Sequence, residues 1–124
     1  MNKNLSLTAF LGLLAVALGA FSAHTLKQKI GLDRLKVFET GVKYQMYHVL
    51  VLLFVNSYTN FSNKIKNSIS FFFIIGILFF SGSLYILSTQ IIASKYIGPI
   101  TPLGGVFFII GWLLLAFQFI KQKT

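Results

Sequence analysis

Few side chains in this sequence of 124 residues can do acid–base or nucleophilic chemistry. It has two histidines, His24 and His48, two carboxylates, Asp33 and Glu39, and no cysteine. His48 follows Tyr44 and Gln45 at helical spacings of four and three, and Gly41 falls on the same face. Ser81, Ser83 and Tyr85 supply hydroxyls further along, and Thr101 another. A serine nucleophile needs a base within hydrogen-bond reach and a third group to orient that base. His48 is the one candidate base among apolar segments, and both carboxylates fall in a separate charged stretch, so no catalytic residue is assigned. A lipid-modifying activity stays open. A metal ion would need His24, His48 and Glu39 to converge, and neither a metal site nor a cofactor is expected. Gly104 and Gly105 follow Thr101 and Pro102, but the lysine of a phosphate-binding loop is missing. Three readings of His48 remain. It is a neutral histidine satisfied by one interhelical hydrogen bond, part of a proton or solute pathway, or part of a site for a lipid or quinone-like ligand.

The elements that must position these groups are membrane helices. The chain is 56% hydrophobic, 16% aromatic and 10% charged, against about 25% charged in soluble domains. Four crossings at about 20 residues each use most of the length, which leaves no room for an appended soluble domain. The net charge of +9 is read as lysines anchoring helix ends at lipid head groups. Nucleic-acid binding is not expected, because no basic stripe with interleaved aromatics is present.

The fold class expected is all-α: an integral membrane four-helix bundle forming one domain over 1–124. Crossings are placed near 5–23, 40–58, 69–88 and 103–120. The first run has signal-like features, yet it exceeds the 7–15 residues of a signal core and is expected to stay as a helix. An interfacial amphipathic helix near 33–40, with Leu35, Phe38 and Val42 at apolar spacing, runs on into the second crossing. Asp33 and Thr101 are read as N-caps of their helices. Small residues recur on one face of the first helix at Gly12, Ala15 and Gly19. With Gly76, Gly104, Gly105 and Gly111 they are read as helix-packing positions, where backbones approach closely.

Four segments in register carry a resemblance: 19–24 (GAFSAH), 40–48 (TGVKYQMYH), 80–85 (FSGSLY) and 101–105 (TPLGG), followed by Gly111 and Trp112. Together they resemble domain-of-unknown-function family 423, the YgdD-like and transmembrane-protein-256-like small membrane proteins. Ser22 and Thr25 stand where the family pattern favours glycine. The resemblance implies a four-helix membrane fold and no known activity.

Three functions are therefore weighed. The first is a non-catalytic subunit or assembly component of a homo-oligomer or larger membrane complex. The second is a proton or small-solute conductor, and the third a lipid-binding protein. The location expected is a bacterial cell (inner) membrane, crossed several times among membrane lipids, with both termini on one side. Lys3, Lys64, Lys66, Lys121 and Lys123 lie on that side, and Lys27, Lys29, Arg34, Lys36, Lys43 and Lys95 on the other. Lys43 is read as lying on the membrane helix, and family members tend to have basic C-termini, so the termini are expected to be cytoplasmic. Topology puts His24, Tyr44, Gln45, His48, Ser81, Ser83, Tyr85 and Thr101 in one half of the membrane. They are expected either to meet in one polar pocket centred on His48 or to form separate hydrogen bonds that staple the helices, with the opposite half mostly apolar.

Overall fold

The computed structural model describes residues 3–122; Lys123, counted above with the basic end, lies outside them. The described chain is all helical. α1 spans Lys3–His24, a short 3-10 turn Leu26–Gln28, and α2 Leu32–Ser57. α3 (Asn63–Gly76) passes through a π-helical segment, Ile77–Ser81, into α4 (Gly82–Thr89). A four-residue α5 (Ser94–Ile97) precedes α6, Ile100–Lys121.

Local chemistry sets several of these limits. The expected lead-in and second crossing are one unbroken helix, because no Pro interrupts 32–57 and Gly41 is absorbed by packing. The α2 cap is Gly31, with extended backbone, and Asp33 sits inside the first turn. α3 begins six residues earlier than its apolar run, because the Ser62 hydroxyl accepts from the Ile65 amide at 3.3 Å. α4 ends where Gln90 turns left-handed, at φ 57. Thr101 does not cap α6. The chain is already turning helically through Gly98, whose amide reaches the Ser94 carbonyl at 2.6 Å, so the helix starts at Ile100.

Among the described residues three helical stretches are long and apolar enough to cross a membrane: Lys3–Gln28, Asn63–Thr89 and Ser94–Lys121. α2 falls short of that measure because its inward face is polar. It buries Gln45, His48 and Asn56 beside Val49, Leu52 and Val55. α2 and the α3–α4 stretch form the centre. α1 lies along α2, and α6 lies along α3 and the π segment, sending side chains across to α2. α1 and α6 share no extended backbone contact. Their buried strips are correspondingly narrow: Thr8, Leu11, Ala15 and Ser22 on α1, and Gly104, Phe108, Gly111 and Leu115 on α6. The main core gathers Leu52, Val55, Ile69 and Phe73. A smaller cluster of Leu26, Leu35 and Phe38 closes the end beneath the 3-10 turn.

Glycine sets the closest approaches. A Cβ at Gly76 would collide with the Phe108 ring, and one at Gly111 would stand 2.7 Å from the Phe73 ring. Each phenylalanine of the α3–α6 pair thus fills the notch of the other helix's glycine. A Cβ at Gly104 would reach the Phe80 amide and stand 2.8 Å from the Phe79 carbonyl carbon, so α6 touches backbone there. Gly41 makes a similar notch for Tyr85. Gly12 and Gly19 face Val49 and Val42 at ordinary or slightly tight distances, and Ala15 is buried between α1 and α2. Gly105 has open space out to 4.0 Å.

Gly104→Ala must push backbone from backbone, and is expected to cost about 1–3 kcal/mol as an overpacking change. Gly105→Ala, one residue away, should stay within about 0.5 kcal/mol. Thermal unfolding of the two variants in detergent compares them directly, and equal losses would show that the Gly104 contact does not limit α6.

Candidate functional site

Gly41, Gln45, His48, Leu52 and Asn56 follow one another along α2 at spacings of three and four. They form a continuous seam facing the other helices. A helix immersed in hydrocarbon must satisfy each polar side chain from within the protein, and the seam does so residue by residue.

At its first level Gln45 ties three helices. Its amide donates to the Leu11 carbonyl of α1 at 2.7 Å, and its oxygen accepts from the Tyr85 hydroxyl of α4 at 2.6 Å. The Tyr85 ring lies over Gly41 and 4.8 Å from Phe38. Ser81, closing the π segment, donates to the Gly41 carbonyl at 2.7 Å. Such one-turn widenings recur at functional positions in helices; here the widened turn delivers a hydroxyl to a neighbouring backbone.

One turn further, His48 sits among aromatic rings. Its Nδ1 lies 2.6 Å from the Tyr44 carbonyl, which can only accept, so Nδ1 carries the proton. Nε2 then has its lone pair free to accept from the Trp112 indole N–H at 3.1 Å. Both ring nitrogens of a neutral imidazole are used. The ring stacks on Phe108 at 3.7 Å and 6°, with Phe73 5.4 Å away. Tyr44 itself is half exposed and packs its ring near Phe80.

The remaining residues fall elsewhere. Ser83 donates to the Phe80 carbonyl, and its oxygen pairs with the Thr101 hydroxyl, which joins α4 to the start of α6. Donor counting makes Thr101 the donor to Ser83. His24 is exposed and bonds the Ala20 carbonyl of its own helix. The hydrogen bonds thus follow the stapling alternative and form no single connected network around His48. The polar residues divide into a Gln45–Tyr85–Ser81–Gly41 set, a His48–Trp112 pair and a Ser83–Thr101 pair, each joining α2 or α4 to a neighbouring helix. Neither Ser81 nor Ser83 bonds His48. No three His, Asp or Glu side chains among the described residues stand together as metal ligands.

The opposite half of the protein is more polar than its composition suggested. Asn56, only 2% exposed, donates to the Leu52 carbonyl and to Ser70. Its oxygen accepts from Asn4 at 3.0 Å, and Asn4 also reaches Asn67. Thr8 and Ser70 are fully buried beside them. The signal was present in the sequence: Asn56 lies eight residues after His48, on the same helical face, directly after the apolar run 49–55. Trp112, the one tryptophan, stands 64 residues from His48, and no sequence spacing links the two.

Apolar helices with a satisfied polar seam define a small integral membrane protein. The chain belongs to the family described as Protein of unknown function (DUF423), whose model matches residues 18–105. It is 43% identical to a UPF0382 membrane protein of Haemophilus influenzae, covering 99% of this chain and 98% of that one. It is 46% identical to the UPF0382 membrane protein SSP2132 of Staphylococcus saprophyticus, over 88% of this chain and 89% of the relative. The UPF0382 membrane protein YwdK of Bacillus subtilis is 47% identical over 93% of this chain and 94% of its own. No solved structure matches.

His48→Phe keeps a ring against Phe108 and removes the acceptor for Trp112. The single indole N–H resonance is expected to shift, with a stability loss of about 1 kcal/mol, typical of interhelical hydrogen bonds in membranes. Tyr85→Phe should cost a similar amount and leave that resonance in place. An indole signal unmoved by His48→Phe would mean that the Trp112–His48 bond is absent in the membrane.

Proposed function

We propose that the protein is a non-catalytic membrane component that works by association, as a homo-oligomer or within a larger membrane complex. The observation that carries this reading is the saturation of the polar seam. Among the described residues no buried side-chain nitrogen or oxygen lacks a hydrogen-bond partner. A conductor needs polar groups that exchange partners along a path, and an enzyme needs a base with a free lone pair. Here the polar groups act as staples between helices. α1 and α6 each bury a narrow strip and turn broad apolar faces outward, including Phe10, Leu13, Val16, Ile109, Leu113 and Phe117. Those faces suit lipid and equally suit neighbouring helices.

In the same reading α2 is a fourth crossing. Its 26 residues extend about 39 Å at 1.5 Å per residue, more than the hydrocarbon core of about 30 Å. The first turns, with Asp33, Arg34 and Lys36 exposed, then lie at the head groups as an interfacial lead-in. Four crossings place the termini together, on the cytoplasmic side in this proposal.

Mild-detergent extraction after in-cell cross-linking tests the association, and a covalent oligomer or a reproducible protein partner is expected. Monomer alone, from several detergents and by native mass spectrometry, would remove the proposal. Orientation is tested on the cysteine-free background. Ser62→Cys should resist an impermeant thiol reagent added to intact cells, and labelling from outside would reverse the orientation.

A further inference from the structure

We propose that the groove between the start of α3 and the end of α6 binds one anionic phospholipid. Its phosphate would sit at a lysine-flanked mouth, and the upper part of an acyl chain would lie along the apolar floor. The groove measures about 190 Å³ and is lined by Lys64, Ile65, Ser68, Ile69, Leu114 and Gln118. On α3 the lining residues share one face. On α6, Leu114 and Gln118 continue to Lys121 at spacings of four and three, so that lysine stands one turn beyond Gln118 on the groove side. Ile69, 1% exposed, and Leu114 form the deep part. Lys64 and Lys121 are both exposed at the outer end, with the polar tips of Ser68 and Gln118 between mouth and floor.

Charge selects the occupant. Lys3, Lys64, Lys66 and Lys121 all belong to this end of the protein. Both carboxylates, Asp33 and Glu39, belong to the opposite end, in the first turns of α2. The positive field at this mouth is therefore uncompensated by any acidic side chain nearby. The floor is apolar, and the outward neighbours on the two helices, Phe71 and Phe117, are exposed and apolar as well. The ligand that matches both features is an anion carrying a hydrocarbon chain. Basic pockets between membrane helices bind anionic lipid head groups on the same physical grounds. This site is separate from the polar seam and does not depend on the association proposed above.

The test uses the full-length protein in mild detergent, titrated with phosphatidylglycerol or with phosphatidylcholine of identical acyl chains, and bound lipid is counted by native mass spectrometry. One phosphatidylglycerol is expected to be retained about 25-fold more tightly than phosphatidylcholine, about fivefold for each of the two lysines. A lysine near an anionic lipid contributes about fivefold in affinity. Lys64→Gln should therefore lose about fivefold, and Lys64→Gln with Lys121→Gln should abolish the preference. Lys3→Gln and Lys66→Gln, at the same end but outside the lining, should stay within about twofold of the parent. Leu114→Trp fills the floor and should lower binding of both lipids, with thermal unfolding confirming that the variant is folded. Equal retention of the two lipids by the parent protein would overturn the site. So would equal losses from the two lysine pairs, which would mean diffuse surface charge, or unchanged binding in a folded Leu114→Trp variant.

Discussion

The reciprocal insertion of Phe73 over Gly111 and Phe108 against Gly76 is the contact from which much of this structure follows. In lipid, two apolar helices gain little by leaving the hydrocarbon, and their association rests on dispersion and on backbones approaching closely. The two glycines allow that approach, and the two rings fill the space they leave. Gly104 extends the same contact to the backbone of Phe79 and Phe80. With α6 fixed on α3, Phe108 presents a flat face to α2. His48 stacks on that face at 3.7 Å, and Trp112 one turn later is placed to donate to it. The histidine is held by the packing of two other helices.

α2 takes its place between α1 and the α3–α4 stretch for the complementary reason. Gln45, His48 and Asn56 would be costly against lipid. Seated in the interior, each supplies directional bonds to its neighbours: α1 and α4 from Gln45, α6 from His48, α3 and α1 from Asn56. The glycine notches bring α3 and α6 together without directional bonds, and the seam sets how α2 meets the rest. The two devices divide the work. Neither hydrocarbon packing nor hydrogen bonding alone would define the register of α2 against three neighbours.

Much of the fold was legible because membrane helices announce themselves by apolar length. Leu103 through Ile120 and the first run reveal α6 and α1 to within a turn. The polar residues that matter were also visible, since a Gln or His in such a segment has few innocent placements. Their partners were not. His48 and Trp112 meet across 64 positions, and Gln45 and Tyr85 across 40, and helical periodicity carries no information on which neighbour a face will meet. Polar groups at similar depth can share one pocket or staple helices separately, and the sequence does not choose between the two. Each reached the nearest backbone carbonyl or single side chain, which suffices for groups with one or two bonds to satisfy. Caps failed for a different reason. Thr101 is a good capping residue by type, but the short turn through Gly98 had already started the helix, and its hydroxyl was left for Ser83.

The same distinction explains the two ends of the molecule. At the end with the α1–α2 connection, cations and both acids are mixed along an amphipathic stretch, and the apolar cluster under the 3-10 turn is sealed by Leu26, Leu35 and Phe38. At the other end the connection between α2 and α3 is short, and Asn4, Asn56, Asn67 and Ser70 bind the helix ends together by amide and hydroxyl groups. Neutral amides satisfy one another there without a carboxylate, and among the described residues both acidic side chains lie at the other end. An end built in this way leaves its positive charge directed outward. A helix end bound by carboxylate–lysine pairs would have spent that charge internally, and the choice of asparagine for the staple is what keeps it available to the membrane surface.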